Sequence, residues 1–183
     1  MEYIDLLLQR HSCRSFQKKP IPNTLLDQLI KESDFAPMSG NRKKDRQLIP
    51  ISDPLKLHHM AEIVKKKWEN ALDPDNLFYL QLKKYGKNFI HFANAPTVIF
   101  LAARCAPDYF VDIFGECLAD RFHGNSASVF QAAMLFMLSA ENNGLATCMM
   151  TGPLVASHEL GVEINLQPHW KLCGLISVGY KKN

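Results

Sequence analysis

Arg10-His11-Ser12-Cys13-Arg14-Ser15-Phe16 is the stretch around which the rest of the chain can be read. Two guanidiniums and two hydroxyls sit within six positions, directly after the apolar run Tyr3 to Leu8. Arginine presents a rigid fork of donors that suits a phosphate or a planar carbonyl pole. A serine between two arginines adds a neutral donor for the same anion. Leu6, Leu7 and Leu8 are expected to anchor this segment to a core, so that the polar cluster leaves a helix end at a fixed place. Charge alone leaves a second reading open, a solvated helix C-terminus where Arg and His meet the negative end of the dipole.

Composition narrows the classes. At 183 residues, one domain over 1–183 is expected, with enough chain to bury a core. A net charge of +3, with no arginine-rich arm and no zinc spacing, argues against a nucleic-acid binder. The five cysteines, at 13, 105, 117, 148 and 173, are scattered and odd in number, so neither a disulfide framework nor a zinc site is indicated. Free thiols in a reducing cytoplasm are the simplest account, and a cytoplasmic location is expected. Glu2 and Asp5 interrupt a run too short for a signal peptide. The uncharged stretch from Gly124 to Ala140 is too short to span a membrane and carries Ser126, Ser128, Gln131 and Ser139, so it reads as a buried helix. No metal is expected: adjacent His58 and His59 point apart on a helix, and His91 has no partner at helical spacing.

Working outward, Asn23 or Thr24 is expected to cap a helix that ends near Phe35, because Pro37 disfavours helical geometry at Ala36. Ala36-Pro37-Met38-Ser39-Gly40-Asn41 is turn chemistry, either a bare loop or one whose small residues approach a ligand. Gln47 to Ile51 reads as a strand. Asp53-Pro54 opens a helix to about Trp68, with Lys65, Lys66 and Lys67 as its solvated end. Asn76 to Phe92 is a helical stretch whose aromatics are expected in the core. Ala95 to Ala103 is a buried central strand behind a proline. Pro107 to Phe122 is a further helix or an irregular lid. Ser126 to Asn143 is apolar on nearly every side, so one face should meet the sheet and the other a second copy of the protein. Gly144 ends it as a C-cap, followed by a strand to Met150, a turn at Thr151-Gly152-Pro153, a short helix over Leu154 to Leu160 and a last strand from Leu172 to Val178.

Arg-(Arg/His)-Ser-x-Arg-x-Phe near the N-terminus resembles the opening motif of the nitroreductase family of FMN-dependent oxidoreductases. Three later stretches fall in that family's order. Ala36-Pro37-x-Ser39-x-Asn41 is similar to its Ala-Pro-Ser-x-x-Asn segment, although Lys43, Lys44 and Asp45 replace the Gln-Pro-Trp that follows there. Leu138, Ala140, Gly144, Leu145, Ala146 and Thr147 resemble the end of its long interface helix. Gly179-Tyr180-Lys181-Lys182 resembles the corner after its last strand.

The alternation of helices with strands reads as α+β or three-layer α/β. The resemblance implies a three-layer α/β/α nitroreductase-like fold of a short-form member. Its sheet would be mixed and mostly antiparallel, its long buried helix would lie at an interface, and a homodimer would hold two FMN sites between subunits. Arg10 and Ser12, beside His11 and with Lys181 or Lys182, would bind the phosphate. Arg14 would meet the N1/C2 edge of the ring and raise its reduction potential. Pro37, Met38, Ser39 and Asn41 lie on the loop that would reach the flavin held by the other subunit. Thr151 and Gly152 would lie near N5, with Met150 either packing or walling the ring. The implied reaction is ping-pong, from NADH or NADPH through FMN to a small acceptor such as a nitroaromatic or quinone. No side chain need act as acid or base. Two alternatives stay open: a protein that stores FMN with little turnover, and a cofactor-free interaction scaffold.

Overall fold

Thr97–Arg104 (β2) is the centre of the sheet, buried along its length until Arg104. In this computed structural model the described residues are 2–38, 45–105 and 120–182, and of 120–124 only the backbone is described. Positions 106–119, most of the expected lid, therefore lie outside the described residues. β2 pairs on one side with Arg46–Ile51 (β1) and on the other with Trp170–Gly179 (β4). β4 in turn pairs with Ala146–Met150 (β3), so the order is β1-β2-β4-β3 and every ladder is antiparallel. The parallel component of the expected mixed sheet is a bridge between Ser12 and Thr147 at the outer edge of β3.

The two faces of β2 bury different layers, because successive side chains alternate. Val98, Phe100 and Ala102 meet Leu57, Met60 and Val64 of Pro54–Ala71 (α3), with Phe92 and Leu160 completing that core. Ile99, Leu101 and Ala103 meet Leu26 and Leu29 of Asn23–Ser33 (α2) and Val129, Ala133 and Phe136 of a long helix, Asp120–Asn142. In β4, Leu172 and Leu175 belong to the first core, while Cys173, Ile176 and Val178 belong to the second. The parity changes because Leu101 pairs with Gly174 and Ala102 with Leu172, leaving Cys173 as the extra residue of a bulge.

Several local expectations are met by the groups that suggested them. Asp53 caps α3, accepting from the Leu55 and Lys56 amides, with Pro54 in the first turn. Gly144, at φ 75°, terminates the long helix in a conformation that favours glycine.

Others are corrected. α2 begins after Pro22, whose carbonyl accepts the Leu25 and Leu26 amides, so Asn23 is already helical and no side chain caps the helix. α3 runs past its lysines to Ala71; Lys65, Lys66 and Lys67 are exposed as expected, and Lys67 Nζ also lies 2.6 Å from Glu159 Oε1. The stretch 76–92 divides into Tyr79–Gly86 (α4) and a 3-10 helix, Lys87–Asn94. Phe92 is buried, but Phe78 and Tyr85 are exposed. The expected helix at 154–160 is a 3-10 turn, Gly152–Ala156, followed by an α-helix, Ser157–Glu163.

The N-terminal helix Tyr3–Gln9 (α1) departs most from expectation. It buries no residue, and Leu8 is 79% exposed. The anchors of the following cluster are instead Cys13 and Phe16, both buried. With α4 introduced above, the long helix Asp120–Asn142 is α5 and Ser157–Glu163 is α6. α1 packs on α5, whose Val129, Ala132, Ala133, Phe136 and Ala140 are fully buried while Phe130 and Met134 remain exposed.

Candidate functional site

The cluster leaves α1 at Arg10 in extended backbone and is stitched across the end of the sheet. Cys13 N donates to Thr147 O at 2.9 Å, at the edge of β3. Gln17 N donates to Tyr180 O at 2.8 Å, and Lys182 N to Ser15 O at 3.2 Å, just beyond β4. Phe16 and Lys181 form an antiparallel bridge, and the Gln17 side chain donates to Lys181 O at 2.9 Å. Backbone pairing thus brings segments 165 positions apart, at Phe16 and Lys181, onto one sheet end. Cys13 and Phe16 point inward, which leaves Ser12, Arg14 and Ser15 exposed and Arg10 half-buried. His11 is exposed and turns its Nδ1 to Gln9 O at 2.8 Å.

Backbone pairing at Thr147 brings Arg10, Ser12 and Arg14 to the end of β3 that carries Cys148. Burial pushes the Cys148 thiol up, while Arg14, a hydrogen bond from Ser12 and, more weakly, Arg10 pull it back. On the opposite face of β3, the Thr147 hydroxyl is buried and has no hydrogen-bond partner among the described residues. A buried hydroxyl left unpaired costs about 1–3 kcal/mol. Neither guanidinium has a carboxylate within ion-pair distance among the described residues. Two uncompensated guanidiniums and a serine hydroxyl form a donor set that fits an anionic, oxygen-rich group such as a phosphate.

The opposite end of β3 carries different chemistry. Thr147 and Thr151 are four residues apart, about 13 Å along an extended strand. Met150 is half-buried, and its sulfur accepts from Ser177 Oγ at 3.8 Å, so packing already occupies it. Thr151 then precedes the 3-10 turn that starts at Gly152 and carries Pro153 in its first turn. Pro153 has no N–H and the Leu154 amide donates to Thr151 O at 3.0 Å, which leaves the Gly152 N–H as the first amide of the turn that a ligand could use. Gly152 is required here because a Cβ would lie 2.1 Å from Phe89 Cδ1. Phe89 is itself held edge-on by Trp68 at 4.9 Å and by Tyr85 at 5.4 Å. This aromatic group is a support for the turn that sequence reasoning missed, since nothing local links Phe89 to Gly152.

Pro37 and Met38 are held elsewhere. Pro37 O accepts from Ser128 Oγ at 3.1 Å and from Arg46 Nη1 at 3.3 Å. The Arg46 side chain is 1% exposed, and its Nη2 also reaches Ala36 O and Asp34 O, both at 3.1 Å. A cation among the carbonyls that follow α2 complements the negative end of the helix. Arg46 was missed as well: it stands in a strand, where period-2 reading treats it as an exposed charge. Ser39 and Asn41 lie outside the described residues, as do Lys43 and Lys44. Lys181 and Lys182 are exposed, and Lys182 lines a cleft together with Arg14. The structure thus brings Arg10, Ser12, Arg14, Lys181 and Lys182 to one sheet end, Met150, Thr151 and Gly152 to the far end of β3, and Pro37 and Met38 to a separate tether.

Among the described residues no group of His, Cys, Asp and Glu could hold a metal ion, and no helix is long and apolar enough to cross a membrane. The four described cysteines are free thiols.

The model of the nitroreductase family matches residues 7–180. Iodotyrosine deiodinase 1 of Rattus norvegicus is 28% identical over 186 residues, covering 98% of this chain and 62% of that protein. The Homo sapiens protein of the same name is 26% identical, with 98% and 61% covered. The chain thus spans about three fifths of the length of these curated relatives. A BluB-like flavoprotein from Clostridium difficile 630 shares the fold with a TM-score of 0.84 at 19% identity, covering 100% of this chain and 91% of that one. A nitroreductase with bound FMN from Desulfitobacterium hafniense DCB-2 shares it at 0.74 and 16% identity, covering 98% and 89%.

Proposed function

Because the chain belongs to the nitroreductase family of oxidoreductases, we propose that it binds FMN and passes reducing equivalents from NADH or NADPH to a small acceptor, a nitroaromatic, a quinone or a similar molecule. The observation that carries this reading is the backbone pairing that brings Arg10, Ser12 and Arg14 to the same sheet end as Lys181 and Lys182, with no carboxylate within ion-pair distance of either arginine among the described residues. FMN, when bound, supplies the hydride chemistry. Arg10 and Ser12, with Lys181 or Lys182, hold the phosphate by charge-assisted hydrogen bonds. Arg14 places a positive charge at the ring edge that becomes negative on reduction. The Gly152 amide, backed by Phe89, is offered to the ring from the other end of β3. No side chain is required to move a proton.

The working unit is a homodimer. Supporting this are the exposed apolar groups of α1 and α5, Tyr3, Ile4, Leu8, Phe130 and Met134, which one copy leaves unburied. Pro37 and Met38, with Ser39 and Asn41, are assigned to the partner's flavin. A single domain over 1–183 and a cytoplasmic location complete the proposal, the latter supported by the free thiols.

The visible spectrum of the purified protein, before and after NADH, tests this reading. A flavin spectrum that bleaches supports it. A colourless protein that takes up no added FMN refutes it. The names of the curated relatives favour a second reading, in which the acceptor is an iodotyrosine. Iodide release from iodotyrosine, in preference to nitroaromatic or quinone turnover, would select it.

A further inference from the structure

A cleft of about 810 Å³ opens across the sheet end on the side of β1 and β2. Four separated segments wall it: the chain after Arg14, the entry to α3, the approach to β2, and Lys182. It is not the candidate flavin site, since Arg10, Ser12, Cys148 and Gly152 do not line it. The two share Arg14 and Lys182. What distinguishes the cleft is its chemistry. Among the described residues Arg14, Lys18 and Lys182 contribute three cations, and no Asp or Glu lines it. Phe16, Ile21 and Pro96 give it an apolar wall. Its size falls within the range of small-molecule sites, roughly 300–1,000 Å³. Cations without acids, beside an apolar wall, select a ligand with an anionic head and an apolar body.

We propose that this cleft is a second binding site, for a small organic anion whose phosphate or carboxylate meets Lys18 and Arg14 and whose apolar part lies against Phe16 and Ile21. Arg14 can serve both sites because a guanidinium carries five donors in a planar fork. Lys18 belongs to the cleft alone. The inference does not rest on the flavin reading.

Calorimetric titration with phenyl phosphate tests it, alongside inorganic phosphate and phenol. Phenyl phosphate should bind more tightly than either, because it alone satisfies both walls. Binding should persist in excess FMN. Lys18→Glu, a change at an exposed position, should weaken phenyl phosphate about tenfold, the size of one lost charge-assisted contact, and leave FMN affinity unchanged. Equal affinity for phenol, an unchanged affinity in Lys18→Glu, or full exclusion by FMN would overturn the proposal, the last by making the cleft part of the flavin site.

Discussion

The two faces of the sheet are covered to different degrees. On the α3 face, Leu57, Met60 and Val64 are fully buried against Val98 and Phe100, and Lys67 ties α3 to Glu159 of α6. On the α5 face, α2 and the inner side of α5 bury the sheet equally well, but the outer layer is unfinished. None of α1's own residues is buried, and Phe130 and Met134 of α5 are exposed. Both faces obey the same rule of apolar burial. The lesson is that, among the described residues, one face closes on its own chain, while the other leaves apolar side chains exposed. The candidate site lies at the edge strand β3, where α1 hands the chain to the arginine cluster.

Substitutions can break or sharpen that contrast. Phe100→Ala removes a fully buried ring from the closed face and should cost about 3–5 kcal/mol, read by denaturant unfolding. A loss below 1 kcal/mol would mean that this face is not closed as described. Met134→Lys, on the open face, should leave the fold of one copy intact and weaken association by on the order of 3 kcal/mol, because a charge is buried without a partner. Sedimentation should then show monomers at concentrations where the dimer proposed for the parent chain persists; an unchanged dimer would move the interface elsewhere. Gly152→Ala should destabilise by about 1–3 kcal/mol, since its methyl must displace the Phe89 ring. An unaltered melting temperature would remove Phe89 as the support of that turn.

Arg14→Ala touches neither core. It should retain the fold, weaken FMN about tenfold through a lost charge-assisted contact, and slow reduction by NAD(P)H. Unchanged affinity and an unchanged rate would end the role proposed for Arg14.

The smallest effect concerns Glu32, which joins α2 to α5 by accepting from Ser139. Hydrogen bonds from Ser139 and Gln28 hold its carboxyl below the ordinary carboxylate value. A lowered folded value means that the contribution is full above the ordinary pKa and is lost as pH falls through the lowered one. Solvent screening keeps it to about 0.5 kcal/mol or less. Glu32→Gln should flatten the acid limb of a stability–pH curve, and a superimposable curve would show that the pair contributes nothing.

Much of this was legible locally. Asp53-Pro54 opening a helix, Gly144 closing one, and the β-branched run behind Pro96 each need only near neighbours in sequence. The arginine cluster was also legible, as residue types in order. Its anchoring was not. Leu7 and Leu8 look like core from hydropathy, yet they are exposed, and Cys13 and Phe16 hold the segment instead. That outcome depends on Thr147 and Tyr180 arriving beside residues 13 and 17. The Cys173 bulge, the Phe89 ring under Gly152 and the Arg46 tether to Pro37 are alike in this respect. Each joins residues whose separation in sequence carries no periodic signal.

The chain by itself determined which segments become helices and strands, where several of them stop, and that cationic donors gather near both termini, because capping, turn geometry and apolar period act over a few residues. Only tertiary structure decided that the two basic segments meet at one sheet end, that Cys13 and Phe16 anchor the arginine cluster, and that none of α1's residues is buried. Those outcomes depend on strand order and register, which are set by long-range backbone pairing and by which surfaces remain once the cores are filled.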